Sequence, residues 1–408
     1  MIRVFGITGT NGKTTASWML RNILEQTARC GLIGTIEYII GETHYKAKNT
    51  TPGKDILRSL LAEMSADDIK YCVMEVSSHG LDQGRTDRVH FSGAGFTNLS
   101  RDHLDYHKNM EQYYLTKKKL FMSEKLNKTV NIDDTYGTRL YKELVSEYGK
   151  QTVKSISLKY RDADFYGKII SQNLSGSIME VYENGSFVGN VKVGIPGRHF
   201  ASDALLAMAM AHQEGMAYNE IFRGIETLGT VAGRMEKTGS ADDTLGIIDY
   251  AHTPDSLEKL LVSVAEMKRG KLLCVFGCGG FRDKGKRKLM GEIAGRYSDY
   301  CIITSDNPRG EPPENIAQAI EEGLYPTGCG YCVILNRYQA IRRAVSLADK
   351  WDVIVVAGKG HETYQISGGE CIPFDDKKVL KELLEKKYEK TYNETDRTGN
   401  RRPYSGRR

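Results

Sequence analysis

The sequence predicts an α/β fold: a phosphate-loop central domain with a parallel sheet and a hairpin region, then a Rossmann-like doubly wound C-terminal domain. Three observations predict it. Short apolar runs alternate with segments of helical period along most of the chain. A glycine-rich turn, TGTNGKTT, sits directly between the first such run and the first helical one. Between about residues 164 and 195 the hydrophobic period changes to two.

The elements follow in order. Residues 2–7 form a short apolar strand closed by the glycine turn, and Ala16, Leu20, Ile23 and Leu24 then recur at helical spacing. IKYCVMEV and AGFTN read as buried strands ending in polar residues. Open parallel sheets bind ligands beyond the carboxyl ends of their strands, so those polar residues are site candidates. IMEVYENGSFVGNVKV reads as a hairpin turning at Asn184-Gly185, and a helix is expected over about 201–215. A second α/β series starts near Arg234, with strands LGIIDY, KLLCVFG, YCIITSD and WDVIVVAG. The expected organisation is a central domain over 1–233, a C-terminal domain over 234–388 and a disordered basic tail over 389–408.

Composition narrows the function. The chain has 408 residues, 40% hydrophobic and 27% charged, with a net charge of +5, an ordinary globular balance. Five arginines lie in the tail, at Arg397 and in NRRPYSGRR. The bulk is therefore nearly neutral, which argues against a nucleic-acid partner. No apolar run reaches the roughly 18 residues needed to span a bilayer, and residues 1–15 lack the pattern of a secretory leader. The expectation is a cytoplasmic protein without membrane contact. Among eight cysteines, Cys329-Gly-Tyr-Cys332 has metal or redox spacing but no second pair at a plausible distance. All eight are expected to be reduced structural thiols.

The glycine turn carries the first chemistry. Gly9, Thr10, Asn11, Gly12, Lys13, Thr14 and Thr15 are assigned to ATP. Ile7 stands where the commoner spacing has its first glycine. Gly9 and Gly12 let backbone N–H groups face phosphate, and the following helix points its positive end there. Lys13 supplies a charge to the outer phosphates, and the Thr14 hydroxyl suits Mg²⁺. Glu75, near the end of YCVMEV, places a carboxylate oxygen for the same ion.

TGTNGKTT, MEVSSHGL, NLSRDHLDYH, DYAHTPDS and GKGHETYQ together resemble the Mur ligases of cell-wall peptide synthesis, in the branch that adds the third residue of the peptide. The resemblance runs from residue 2 to about 385. It implies ATP-dependent amide formation: an acceptor carboxylate attacks the γ-phosphate, and an amine then displaces phosphate from the resulting acyl phosphate. It implies catalytic roles for Lys13, Glu75, His103 and Lys117, and two Mg²⁺ ions held by Thr14, Glu75, His103 and Lys117. Lys117 would act as a carbamate. Helical spacing puts Lys117 on one face with Met110, Tyr113, Leu120 and Phe121, whereas Lys118 and Lys119 turn away. Carbamylation needs a neutral amine, which from a pKa near 10.4 costs roughly 4.6 kcal/mol at pH 7. Only a desolvated site beside metal sustains that.

The resemblance also places Asn131, Arg234 and Asp249 at ATP, with Asn131 touching adenine. It places Asn49, Thr50, Thr51, Ser77, Gln83 and Arg85 at the acceptor. Asp306-Asn307-Pro308-Arg309, with Arg282, Gly358 and Glu362, resembles the recognition set of ligases that add meso-diaminopimelate rather than lysine. The extra distal carboxylate suits the Arg309 fork, and Glu362 suits the distal ammonium.

Departures from the family pattern are Phe200 and Asp203 in place of two asparagines, Phe281 in place of an acidic residue, and Lys288 in place of a proline. The family's N-terminal domain, which holds the uridine nucleotide, has no counterpart ahead of the phosphate loop. Three explanations stay open: a separate protein supplies it, the acceptor is a smaller non-nucleotide carboxylate, or the start lies further upstream. An inactive nucleotide-binding partner protein is the rival from another class, and it is expected to show a broken phosphate loop or metal set.

Overall fold

The computed structural model describes residues 2–240 and 242–397, which fall into two compact units that divide after Arg234. In the first unit the strands begin with β1 (Arg3–Thr8), β2 (Cys30–Ile33), β3 (Glu37–Ile40) and β4 (Thr43–Lys46). They continue with β5 (Tyr71–Glu75), β6 (Phe91–Phe96), β7 (Asn127–Asn131) and β8 (Val153–Ser157). β9 (Phe165–Asn173), β10 (Gly176–Glu183) and β11 (Ser186–Val193) complete one 11-stranded sheet. Its order is β11-β10-β9-β8-β7-β6-β1-β5-β2-β3-β4. The stretch from β9 to β2 is parallel, and antiparallel strands extend it at both ends.

β1, the strand before the phosphate loop, is therefore central, flanked by β5 and β6. Ile7 and Val73 are wholly buried, as a doubly covered parallel sheet requires. The period-two region is a three-stranded meander rather than a lone hairpin. It turns at Asn184 and Gly185, whose φ values of 47° and 80° are both positive, as a two-residue type I′ turn requires. The helix expected over 201–215 runs Arg198–Gln213. Every residue from Ala204 to Ala211 is buried, because the helix packs on the Lys13–Leu24 helix as well as on the sheet.

The second unit holds β12 (Glu236–Gly239), β13 (Leu245–Asp249), β14 (Leu272–Phe276), β15 (Tyr300–Ile303), β16 (Gly330–Val333) and β17 (Val353–Ala357). Their order is β12-β13-β17-β14-β15-β16, parallel except for β12, as in a Rossmann-like doubly wound sheet. β18 (Tyr364–Ser367) and β19 (Glu370–Pro373) form a small hairpin. One core cluster joins Ile302, Ile354 and Val356 of the sheet to Ala340, Ile341, Leu380 and Leu384 of the helices Arg337–Leu347 and Asp376–Arg397.

Arg337 and Asp376, both with fully buried side chains, pair through two bonds of 2.7 Å. The same guanidinium donates to Ser305 O and Ala357 O, so one buried ion pair ties the carboxyl end of β17 to the loop after β15. Helical backbone continues through 389–397, where composition suggested that a disordered tail begins; Glu, Lys and Tyr there extend the preceding helix. The rest of that expected tail lies outside the described residues. Among the described residues no helix is long and apolar enough to cross a membrane.

Candidate active site

The phosphate loop leaves β1 at Thr8, and the helix Lys13–Leu24 starts after Gly12, whose φ is 85°. Gly9 has φ 151°, and a Cβ there would lie 1.8 Å from Thr97 Oγ1; one on Gly12 would lie 2.2 Å from Asp203 Oδ1. Only glycine fits at either place, which keeps side chains off the backbone of the loop at those points. The loop is held from behind by the segment after β6. Thr10 N donates to Asn98 O at 2.8 Å, and Thr97 Oγ1 donates to Asn11 O at 2.6 Å. Thr15 is buried in the first turn of the helix.

Two amines meet inside the loop. Lys13 Nζ donates to Gly9 O and Thr10 O, each at 2.9 Å. Lys117 Nζ donates to Gly9 O at 2.8 Å. Lys117 is 1% exposed, on the helix Met110–Lys118, and its Nζ lies 4.7 Å from the centre of the Tyr113 ring. Lys118 instead pairs with Glu143, and Lys119 is exposed. Burial pushes the Lys117 ammonium well below the usual lysine range, helped by the charge of Lys13; burial lowers Lys13 as well, while Glu75 and Asp102 oppose it.

Glu75 ends β5 with no exposure. It accepts from Thr14 Oγ1 at 2.9 Å, Thr35 N at 2.7 Å and Thr35 Oγ1 at 2.9 Å. Arg234 Nη2 donates to Thr14 Oγ1 at 2.9 Å, holding a positive charge beside that hydroxyl. His103 has φ 54° and lies 3.4 Å from Asp102 Oδ2. Its ring packs edge-on against His79, which also contacts Tyr106 and His107. Burial pushes the imidazole down to about 3, against the raising effect of Asp102, so it is neutral and keeps a lone pair for a cation.

Among the described residues no three His, Cys, Asp or Glu side chains converge as a protein-only metal cage. That donor set fits Mg²⁺ bound largely by phosphate oxygens and water, with the Thr14 hydroxyl and the Glu75 carboxylate as protein oxygens.

The acceptor candidates converge beside Glu75. Thr51 Oγ1 donates to Glu75 O and accepts from Ser77 N, both at 2.9 Å. Thr50 Oγ1 lies 3.0 Å from Thr35 Oγ1, and Asn49 O accepts from Tyr38. Arg85 donates to Thr51 O at 2.7 Å and to Gln83 Oε1. Ser77 Oγ caps the short helix Ser78–Asp82. Asn131 lies one layer back: its amide donates to Thr97 O and Ser202 Oγ, so it braces the segment under the phosphate loop. In the second unit, Asp249 ends β13 and accepts from Met235 N and Ala251 N.

The second unit also gathers Asp306, Asn307 and Glu362 around one buried amine, with Gly358 beside Asp306. Lys359 is wholly buried and donates to Asn307 Oδ1 at 3.2 Å and Glu362 Oε2 at 3.0 Å, with Asp306 Oδ1 at 3.8 Å. Asn307 Nδ2 also donates to Glu362 Oε2, at 2.9 Å. Gly358 has φ 113°, and a Cβ there would lie 2.8 Å from Asp306 Oδ2. Arg309 has φ 57° and spends Nη1 on Gly280 O and Asn307 O. A Cβ on Gly279 would meet Arg309 Nη1 at 2.9 Å and Arg282 Cγ at 3.6 Å, so the two arginines flank one glycine.

Sequence reasoning missed Lys359, which lies in GKGHETYQ between the two residues named from that motif, Gly358 and Glu362. It also missed Thr35, whose place after β2 carries no motif. Of the departures, Phe200 and Asp203 are buried, and Asp203 backs Gly12. Phe281 is 64% exposed at φ 51°, over Gly310, and Lys288 lies on the exposed side of its helix.

Residues 7–211 match the Mur ligase middle domain, and residues 233–360 match the Mur ligase glutamate ligase domain. The UDP-N-acetylmuramoyl-L-alanyl-D-glutamate–2,6-diaminopimelate ligase of Caldanaerobacter subterraneus is 44% identical over 387 residues, covering 94% of this chain and 78% of the relative. Its counterpart in Clostridium acetobutylicum is 41% identical over 388 residues, with the same coverage. A solved structure of a ligase of that name is 32% identical with a TM-score of 0.67, covering 95% of this chain and 79% of the other. A folylpolyglutamate synthase from Mycobacterium tuberculosis, 18% identical with a TM-score of 0.68 and covering 88% of each chain, shares the fold. On the strength of both matched domains and these identities, the chain belongs to the Mur ligase family.

Proposed function

We propose that the chain is an ATP-dependent acid–amino-acid ligase that joins meso-diaminopimelate to the D-glutamyl carboxylate of UDP-N-acetylmuramoyl-L-alanyl-D-glutamate, in peptidoglycan precursor synthesis. One observation carries this reading: 44% identity to a ligase of that specificity extends over 387 residues. The geometry supports it, because the phosphate loop and the Thr14–Glu75 pair are intact, whereas an inactive partner protein has no need of either.

ATP supplies the phosphoryl group that turns a carboxylate into an acyl phosphate, from which phosphate can leave. The chain's own residues do the rest. Gly9 to Gly12 turn backbone toward the phosphates, and Lys13 offsets their charge. Thr14 and Glu75 would hold Mg²⁺ from the protein side, with neutral His103 as a further donor. Lys117, if carried as a carbamate, would add a second anionic oxygen donor for Mg²⁺. Burial supports that role by pushing its ammonium well below the usual lysine range. Thr50, Thr51, Ser77 and Arg85 hold the acceptor so that its carboxylate meets the γ-phosphate.

In the second unit Arg309 and Arg282 receive the distal carboxylate of diaminopimelate. Among the described residues Arg309 Nη2 and the Arg282 guanidinium have no protein partner, so both remain for a substrate. Glu362 receives the distal ammonium through Oε1, since Lys359 and Asn307 occupy Oε2.

The test is orthophosphate release with ATP and Mg²⁺ over a matrix of acceptors and amino acids. Release is expected with the UDP-linked dipeptide plus meso-diaminopimelate, and not when lysine replaces the diamino diacid. Release with a free D-glutamyl peptide alone would move the acceptor to the smaller class. No release with any pair would remove the ligase reading.

A further inference from the structure

Cys329-Gly-Tyr-Cys332 has redox spacing, yet the sheet separates its two thiols. β16 runs parallel to β15, with Tyr331 opposite Cys301 and Cys332 opposite Ile302. Cys332 packs with Tyr300 and Ile302 in the core beneath the Arg337–Leu347 helix. Strand alternation puts Cys301 on the other face. Cys329, just ahead of β16, lies on that face, with its Sγ 3.9 Å from Cys301 Sγ.

The pair is asymmetric in access and reactivity. Cys301 is fully buried and Cys329 half-buried. Contact with the Cys301 sulfur lowers the Cys329 thiol, and the same contact together with burial raises Cys301 well above its usual value. Cys274, opposite Cys301 on β14, is wholly buried and pushed up to about 12 by burial, so it stays inert. A disulfide bond measures about 2.05 Å, so the sulfurs must close by roughly 2 Å. Gly328, at φ 74°, and Gly330 flank Cys329 and give that segment the freedom to move.

We propose that Cys301 and Cys329 form a dithiol that exchanges with low-molecular-weight disulfides to give an intrachain Cys301–Cys329 bond. The Cys329 thiolate attacks one sulfur of the small disulfide, breaking its S–S bond and releasing one thiolate, which takes up a proton. Cys301 then gives up its proton, and its sulfur attacks the Cys329 sulfur of the mixed disulfide, expelling the second small thiol. The protein dithiol is oxidised, and one small disulfide becomes two thiols. The bond ties the segment before edge strand β16 to β15, the strand that leads into Asp306–Arg309.

The experiment uses the full chain carrying Cys371→Ser, because Cys371 is exposed and reacts on its own. Protein is treated with oxidised glutathione, acid-quenched, alkylated and mapped by mass spectrometry. The expected product has lost two hydrogens, carries no glutathione and yields a linked Cys301–Cys329 peptide. It persists with Cys332→Ser and vanishes with Cys329→Ser, while Cys301→Ser traps glutathione on Cys329. A Cys329–Cys332 link, a lasting glutathione adduct on Cys329 with Cys301 intact, or an unchanged mass each overturns the proposal. None of these readouts depends on ligase activity.

Discussion

Lys13 and Lys117 aim their amines at the same oxygen, the carbonyl of Gly9, at 2.9 and 2.8 Å. Two cations on one acceptor repel, so the arrangement favours a neutral Lys117, and a neutral amine is the nucleophile that attacks carbon dioxide. Lys117→Ala is therefore expected to lower kcat by about 100-fold or more. Small carboxylates such as acetate restore part of that loss by standing in for the carbamate. They do not restore Lys13→Ala, whose lost charge is positive. Steady-state phosphate release with and without added carboxylate checks both.

The same burial has a pH signature. The unfolded chain holds the Lys117 proton up to about pH 10.5, whereas the folded chain releases it well below that. Between the two values the unfolded state binds more protons, so stability rises with pH across that window. Lys117→Met is expected to remove up to about 1.4 kcal/mol per pH unit of that slope. Urea titrations at a series of pH values, on metal-free protein with carbon dioxide excluded, read it directly. An unchanged slope would mean that Lys117 is charged when folded.

Glu75 accepts three hydrogen bonds, two of them from Thr35. Glu75→Gln keeps the shape but loses the charge, and is expected to raise the Mg²⁺ concentration for half-maximal rate about tenfold or more. Thr35→Val removes one hydroxyl donor, worth about 1 kcal/mol, and is expected to raise it about fivefold. Metal titrations of the rate at saturating ATP separate these from effects on nucleotide binding.

Arg309→Ala is expected to raise KM for meso-diaminopimelate about 30-fold or more, following a loss of about 2–5 kcal/mol at a charged pair, while KM for ATP stays within about threefold. Arg309→Lys keeps charge without the bidentate fork and falls between. Equal shifts in both KM values would count against an amino-acid role.

Arg337 and Asp376 pair with no solvent exposure. Asp376→Ala strands a buried guanidinium and is expected to destabilise the second unit by about 3–5 kcal/mol. The double change Arg337→Met, Asp376→Leu removes both charges and is expected to regain most of that. Chemical denaturation of the single and double variants distinguishes the two results.

Much of this was legible in the chain itself. TGTNGKTT marked its own strand and helix because glycine, lysine and threonine occur there for steric and charge reasons that the structure repeats. Lys117 was separable from Lys118 and Lys119 by helical spacing alone, and the structure buries the first and leaves the last exposed. Thr35 and Lys359 were not legible, because each acts through a partner far off in sequence: Thr35 through Glu75, and Lys359 through Asn307. Cys329 shows the limit of local spacing. It lies three residues from Cys332, but strand alternation turns that thiol to the other face, and pairing of β15 with β16 brings Cys301 beside it instead.

The most direct measurement follows oxygen. An acceptor whose D-glutamyl carboxylate carries oxygen-18 is turned over with ATP, Mg²⁺ and meso-diaminopimelate, and the orthophosphate is analysed by mass. The expected result is one labelled oxygen in each phosphate released, because the carboxylate attacks phosphorus and its carbon later accepts the amine. Unlabelled phosphate alongside amide product would contradict the acyl-phosphate route.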